Sequence, residues 1–141
     1  LKPLKIPYKA ILSTSGTTGF CTILQVQLAL PLPNSPRTKR FEAYIDSGAS
    51  RCLFHGDFAR HLGIDLSGCK TEDTISIGGK ETTYLHEISL YIPGGPVTIT
   101  AGFKDNLPVA GLLGMNGFFE HFRVTFDPIG ECCELERIYK A

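Results

Sequence analysis

The run Phe41-Glu-Ala-Tyr-Ile-Asp46-Ser47-Gly48-Ala49-Ser50 decides how the rest of the chain is read. Phe41, Ala43 and Ile45 alternate with Glu42, Tyr44 and Asp46, the two-residue period of a strand with one face on a core. The strand ends in an acid, a hydroxyl residue and a glycine. A carboxylate at the end of a core strand is costly to desolvate unless it is hydrogen-bonded or titrates abnormally. Gly48 permits a tight turn and a close approach by neighbouring backbone, and the small Ala49 and Ser50 leave the surroundings uncrowded. Alone, Asp-[Ser/Thr]-Gly says little. With six Asp in the chain it arises by chance in roughly one such sequence in ten, and an ordinary Asx-turn after a strand explains it as well.

Two-residue alternation continues on either side. Leu24, Val26, Leu28 and Leu30 form one face, His86, Ile88, Leu90 and Ile92 another, and Val97, Ile99, Ala101 and Phe103 a third. Phe122, Val124 and Phe126 form a fourth, and a last strand is expected near Cys132 to Tyr139. Turn signals separate them: Pro31 to Pro36, Gly78-Gly79, Pro93-Gly94-Gly95-Pro96 and Asp127-Pro128-Ile129-Gly130. Helical pattern is scarce. Short helices are expected over Asp57 to Leu62 and Asn116 to Phe122, with Asp57 and Asn116 as N-caps. The fold class is therefore all-β, in one domain over residues 20–141. Residues 1–19 form an N-terminal arm, for which pairing with another chain and a frayed end are both open readings.

Bulk properties narrow the function classes. The 141 residues suffice for one domain with a real core and not for two. Lys+Arg and Asp+Glu each number 14, so there is none of the basic excess typical of nucleic-acid binders or polybasic membrane-surface modules. No apolar run reaches the roughly 18 to 20 residues that a membrane span needs. Ile23 to Leu32 is interrupted by Gln25, Gln27 and Pro31. The five cysteines (Cys21, Cys52, Cys69, Cys132, Cys133) are odd in number and irregular in spacing, with no C-x-x-C. They read as mostly small buried hydrophobes of a reducing, cytoplasmic compartment. His55, His61, His86 and His121 are scattered, so no metal site is expected. Ser15-Gly16-Thr17-Thr18-Gly19 lacks the Pro-Lys-Gly of an adenylate-forming loop and reads as a polar turn.

Downstream of Asp46 stand Ile75-Ser76-Ile77-Gly78-Gly79-Lys80, a glycine-tipped hairpin, and Ala110-Gly111-Leu112-Leu113-Gly114-Met115-Asn116-Gly117. With Asp46-Ser47-Gly48 before them, these motifs make the chain resemble the retropepsin-like aspartic proteases, particularly bacterial members, over about Phe20 to Ile138. The resemblance implies a closed, barrel-like lobe with a flap hairpin and one or two short helices. It implies that Asp46 is the catalytic acid/base and that Ser47, Gly48 and Ala49 complete the active-site loop. Ser47 would hydrogen-bond across to the opposite subunit. Ile77, Gly78 and Gly79 would form the flap that closes over substrate and excludes water. Leu112, Leu113 and Gly114 would be scaffold under the site, leading into a short helix.

Hydrolysis of this kind takes two carboxyl groups sharing one proton, yet Asp-[Ser/Thr]-Gly occurs once. Asp65-Leu66-Ser67-Gly68 carries an extra residue and lacks a core strand before it. The second carboxylate is thus expected from a second copy, in a two-fold homodimer acting as an aspartic endopeptidase on peptide or protein substrates, without cofactor. The other reading is a retropepsin-fold dimerisation or peptide-binding module with weak catalysis. Ala49 stands where pepsin-like relatives carry a hydroxyl, so the ionised dyad has one donor fewer and a weakly acidic to near-neutral optimum is expected.

Overall fold

The computed structural model describes residues 2–76 and 79–139. Its strands in chain order are β1 (Leu4–Pro7), β2 (Lys9–Leu12), β3 (Thr18–Cys21), β4 (Ile23–Ala29), β5 (Phe41–Ile45) and β6 (Leu53–His55). After the short helix α1 (Gly56–His61) and a 3-10 turn (Leu66–Gly68) come β7 (Lys70–Ser76), β8 (Gly79–Ile92) and β9 (Gly95–Lys104). The chain ends with β10 (Gly111–Leu113), β11 (Phe122–Asp127) and β12 (Cys132–Arg137).

The main sheet runs β4-β5-β10-β6-β9-β8-β7, and a further pairing of β4 with β8 brings it round into a ring. The length of β8 makes this closure possible. Its first half, Gly79 to Leu85, pairs with β7, while Tyr84 to Ile92 pairs with β9 and Ser89 to Tyr91 with β4. Most neighbours are antiparallel, but β5 with β10 and β6 with β9 run parallel. β10 is threaded between β5 and β6, joining two segments far from it in sequence.

The inside of the ring is the core, filled by the alternating faces of the strands. Val26, Leu28, Ala43, Phe54, Ile88, Leu90, Ala101, Phe103 and Leu113 are at most 1% exposed. Phe41 stacks on Phe58 with ring centroids 4.1 Å apart, fastening α1 to β5. Phe118 and Phe122 stack at 4.8 Å within the same core. Glycine is required where strands come close. A Cβ on Gly102 would stand 2.5 Å from Thr83 Cγ2, and one on Gly111 2.7 Å from Phe54 Cδ1.

Outside the ring, β1-β12-β11 form a three-stranded sheet, so the first residues are ordered against the last strand. β2 and β3 form a separate two-stranded hairpin that crosses the expected arm boundary at residue 19. Its tip is residues 13–17, where the Ser13, Ser15 and Thr17 hydroxyls hydrogen-bond one another, while Thr18 and Gly19 of the expected polar turn already belong to β3.

Two local expectations change. The first helix is capped two residues earlier than expected: His55, not Asp57, is the N-cap, its Nδ1 accepting from Asp57 N at 3.1 Å. No helix follows Asn116. Gly117 has φ +102°, outside the helical region, and its N–H donates to Glu120 Oε1. Residues 117–120 are therefore turns. Cys52 and Cys133 are buried, whereas Cys21, Cys69 and Cys132 are half-buried, and all five are free thiols. Among the described residues no helix is long and apolar enough to cross a membrane.

Candidate active site

β5 delivers Asp46 at the edge of the ring. Ala43 and Ile45 face inward and are buried, so Glu42 and Tyr44 face outward. The chain then turns at Asp46-Ser47-Gly48. Asp46 Oδ1 accepts from Gly48 N at 2.9 Å, and Ala49 N donates to Asp46 O at 3.2 Å. Asp46 is half-buried and Ser47 and Gly48 are exposed. Among the described residues this Gly48 contact is the one side-chain hydrogen bond of Asp46, so most of the acceptor capacity of its carboxylate stays available.

The loop is held from below by the segment after β10. Asp46 N donates to Leu113 O at 3.0 Å, Met115 N to Ala49 O at 2.9 Å, and Asn116 N to Ser50 O at 2.9 Å. Cys52 N in turn donates to Asn116 O at 3.1 Å. These four backbone bonds leave no room between the two segments. A Cβ on Gly114 would lie 2.4 Å from Arg51 O and 2.7 Å from Ala49 O, both backbone atoms that cannot turn aside. Leu112 and Leu113 pair with Tyr44 and Ile45, and Leu113 is fully buried. The structure thus brings Leu113 and Gly114 against Asp46 and Ala49, with Leu112 paired to Tyr44 on the strand leading into the loop, while Ser47 and Gly48 stand exposed.

A recess of about 330 Å³ opens beside the loop, lined by Cys21, Thr22, Tyr44, Ile45, Asp46, Val109 and Leu112. Asp46 is the one acid among them. Thr22 binds β5 from outside, its Oγ1 donating to Ile45 O at 3.2 Å.

The hairpin of β7 and β8 projects from the ring, with Ser76 paired to Gly79. Ile77 and Gly78, two of the three expected flap residues, lie outside the described residues. Gly79 has φ +110°, a backbone conformation that favours glycine. Asp73 takes Lys80 at 3.2 Å and Thr82 Oγ1 at 3.0 Å, and these contacts, Lys80 first, hold its carboxyl below the usual range. Sequence reasoning missed the tie between hairpin and loop: Arg51 Nη2 and Nε reach Glu72 at 3.0 and 3.3 Å, and Nη1 reaches Thr100 O at 3.3 Å. Arg51 and Glu72 are 21 residues apart with no shared motif, so only the fold pairs them.

Elsewhere, His55, Asp57 and Asp105 bring ligand-type atoms within 4.8 Å of one another. Arg60 already occupies them, donating to Asp105 at 2.8 and 2.7 Å and to Asp57 at 3.0 Å. That pairing depresses the Asp105 carboxyl, and the cluster reads as an ion-pair network.

A closed β-lobe with an acid-serine-glycine turn at its edge and an apolar-glycine segment beneath is the arrangement of an aspartyl protease. The chain matches the aspartyl protease family over residues 34–116, more than half its length, and belongs to that family. The fold is retropepsin-like. A retropepsin-like aspartic protease from Rickettsia conorii shares it with a TM-score of 0.64 and 18% identity, over 96% of this chain and 99% of that one. EIAV protease complexed with an inhibitor gives 0.50 and 14%, over 67% and 81%. No curated protein sequence matches the chain.

Proposed function

We propose that the protein is an aspartic endopeptidase whose active centre forms between two copies, each contributing Asp46. One observation carries the reading: a single Asp-Ser-Gly loop, clamped by the Leu113–Asn116 backbone, faces a recess that holds no second acid. Two carboxylates brought together at a two-fold axis cannot both stay ionised, so one keeps a proton. The ionised partner takes a proton from water as that water attacks the peptide carbonyl. The protonated partner donates to the carbonyl oxygen, and the resulting tetrahedral centre collapses with protonation of the leaving amine.

Ser47, exposed on the same turn, is assigned a hydrogen bond to the loop of the opposite subunit. Gly48 keeps the carboxylate uncrowded, since a Cβ there would sit 3.2 Å from Asp46 Oδ1. The β7–β8 hairpin is assigned the flap, with the Arg51–Glu72 pair fixing its base to the catalytic loop. The substrate lies extended between flap and floor, as an added strand. Residues 20–141 are assigned to the protease domain and residues 1–19 to an arm. β1 and β11 are the outer strands of the three-stranded sheet, and an open edge recruits another chain, so the arm is assigned to the dimer contact.

The test is cleavage of a mixed peptide library by wild type and Asp46→Asn, with a hydroxyl transition-state isostere as inhibitor. The reading predicts turnover that is abolished by the substitution and blocked by the isostere. Equal peptide binding with no turnover in either protein would assign a binding module instead.

A further inference from the structure

Tyr44 and Val109, which line the recess at Asp46, also line a second, larger trough of about 580 Å³ on the outer face of β5, so the two hollows adjoin. The floor of the trough is Ile23 and Tyr44, one wall is the Pro108–Ala110 loop, and the other wall is β2. Strand alternation puts Lys9 and Ile11 on one face of β2. Lys9 Nζ meets Glu42 Oε1 at 2.7 Å, and Glu42 stands on the outward face of β5, so Lys9 and Ile11 reach the trough, and Ala10 and Leu12 of the other face line its rim as well. Ile11, 38% exposed, follows it there. Lys9 and Glu42 compensate each other, and the remaining lining is carbon-rich, with Ala10, Ile11 and Leu12 from β2 facing Ile23, Tyr44 and the Pro108–Ala110 loop.

The position relative to the reacting bond follows from strand geometry. Tyr44 and Glu42 stand two and four residues before Asp46 on β5. At about 3.3 Å per residue they lie roughly 7 and 13 Å from it, the reach of two to four residues of an extended peptide. We propose that the β2–β3 hairpin builds an accessory subsite that receives an apolar side chain of the substrate two to four residues from the scissile bond. The inference rests on the reading of Asp46 as catalytic residue. In a two-fold dimer each subunit supplies one trough, so both ends of the peptide are gripped.

The experiment uses a set of peptides around one cleaved sequence, with Leu or Asp placed in turn at the second, third and fourth positions on either side, and a truncated peptide lacking the distal positions. In the wild-type protein, Leu exceeds Asp in kcat/KM by about tenfold or more at one of these positions, the scale expected for burying one aliphatic side chain. Ile11→Glu erases or reverses that ratio. An equal rate for Leu and Asp at every position, or a uniform loss on all peptides in Ile11→Glu with the ratio kept, overturns the proposal. Wild-type turnover of the truncated peptide reports separately on Asp46. Should no peptide be cleaved, the proposed activity fails, and the trough is read by the affinity of the Leu and Asp peptides: a tenfold difference supports it and equal Kd overturns it.

Discussion

Two short turns in this protein share one local geometry and little else. In Asp46-Ser47-Gly48 and in Asp65-Leu66-Ser67 the carboxylate accepts the N–H two residues on, at 2.9 and 3.0 Å. Around Asp65 the matter ends locally. Ser67 Oγ donates to the same oxygen at 2.7 Å, the carboxyl is held below its usual range by these Ser67 contacts, and the residue caps a 3-10 turn. Asp46 has no such hydroxyl on it. It sits at the end of a core strand, over a segment whose backbone is bonded to its own loop at four points. A local motif makes the turn. What the carboxylate is free to do depends on the tertiary floor beneath it.

Neutralising each acid in turn separates the two turns. Asp46→Asn should lower kcat/KM by a factor of roughly a thousand or more, the scale of removing an acid–base group and its partner role together. Asp65→Asn should leave it within about twofold. Equal losses in peptide-cleavage assays would erase the distinction.

Glycine substitutions probe the floor in the same paired manner. Gly114→Ala forces a Cβ to 2.4 Å from Arg51 O, and should cost more than ~3 kcal/mol in urea unfolding or prevent folding. Gly68→Ala, next to the Asp65 turn, meets nothing within 4 Å, and should change stability by less than about 0.5 kcal/mol.

Buried Cys52, between the Asp46 loop and β6, gives a pH signature. Desolvation pushes its thiol from the ordinary 9.0 up to about 11. The native state therefore keeps a proton that the unfolded chain releases. This contribution is complete below pH 9 and is lost as pH rises from 9 to 11, a loss of about 3 kcal/mol. Cys52→Ala should flatten that limb of the stability profile. Asp65 acts in the opposite direction. Its lowered carboxyl stabilises the fold above the usual carboxylate range, and this is lost as pH falls through the lowered value. Asp65→Asn should slightly reduce the acid dependence of unfolding.

The smallest effect sharpens the site itself. Adding a donor beside the carboxylates with Ala49→Ser favours their ionised form. It should move the acidic limb of the pH–rate profile down by roughly half to one unit.

Much of the ring was legible because its strands have one wet and one dry face. The alternation in β4, β5, β8 and β9 is read from single residues such as Val26, Ala43, Leu90 and Ala101, each at most 1% exposed. The β2–β3 hairpin left no such trace, since nearly all its residues are exposed and no period separates inside from outside. The expected helix after Asn116 fails at Gly117, whose positive φ lies outside the helical region and where a Cβ would stand 3.0 Å from Ile99 Cδ1 and 3.1 Å from Cys52 Sγ. In the candidate site, the Asp46 turn and the Leu112-Leu113-Gly114 segment announce themselves by residue type. The Arg51–Glu72 tie and the trough under Ile11 do not, because they join residues that only the closed ring brings together.

The account turns on whether one reaction centre needs a carboxylate from each of two copies. Wild type and Asp46→Asn protein are mixed at constant total concentration, given time to exchange subunits, and assayed on one peptide. Activity should fall as the square of the wild-type fraction, so that an equal mixture retains about a quarter. A fall in direct proportion, with half the activity left in the equal mixture, would mean that each chain works alone.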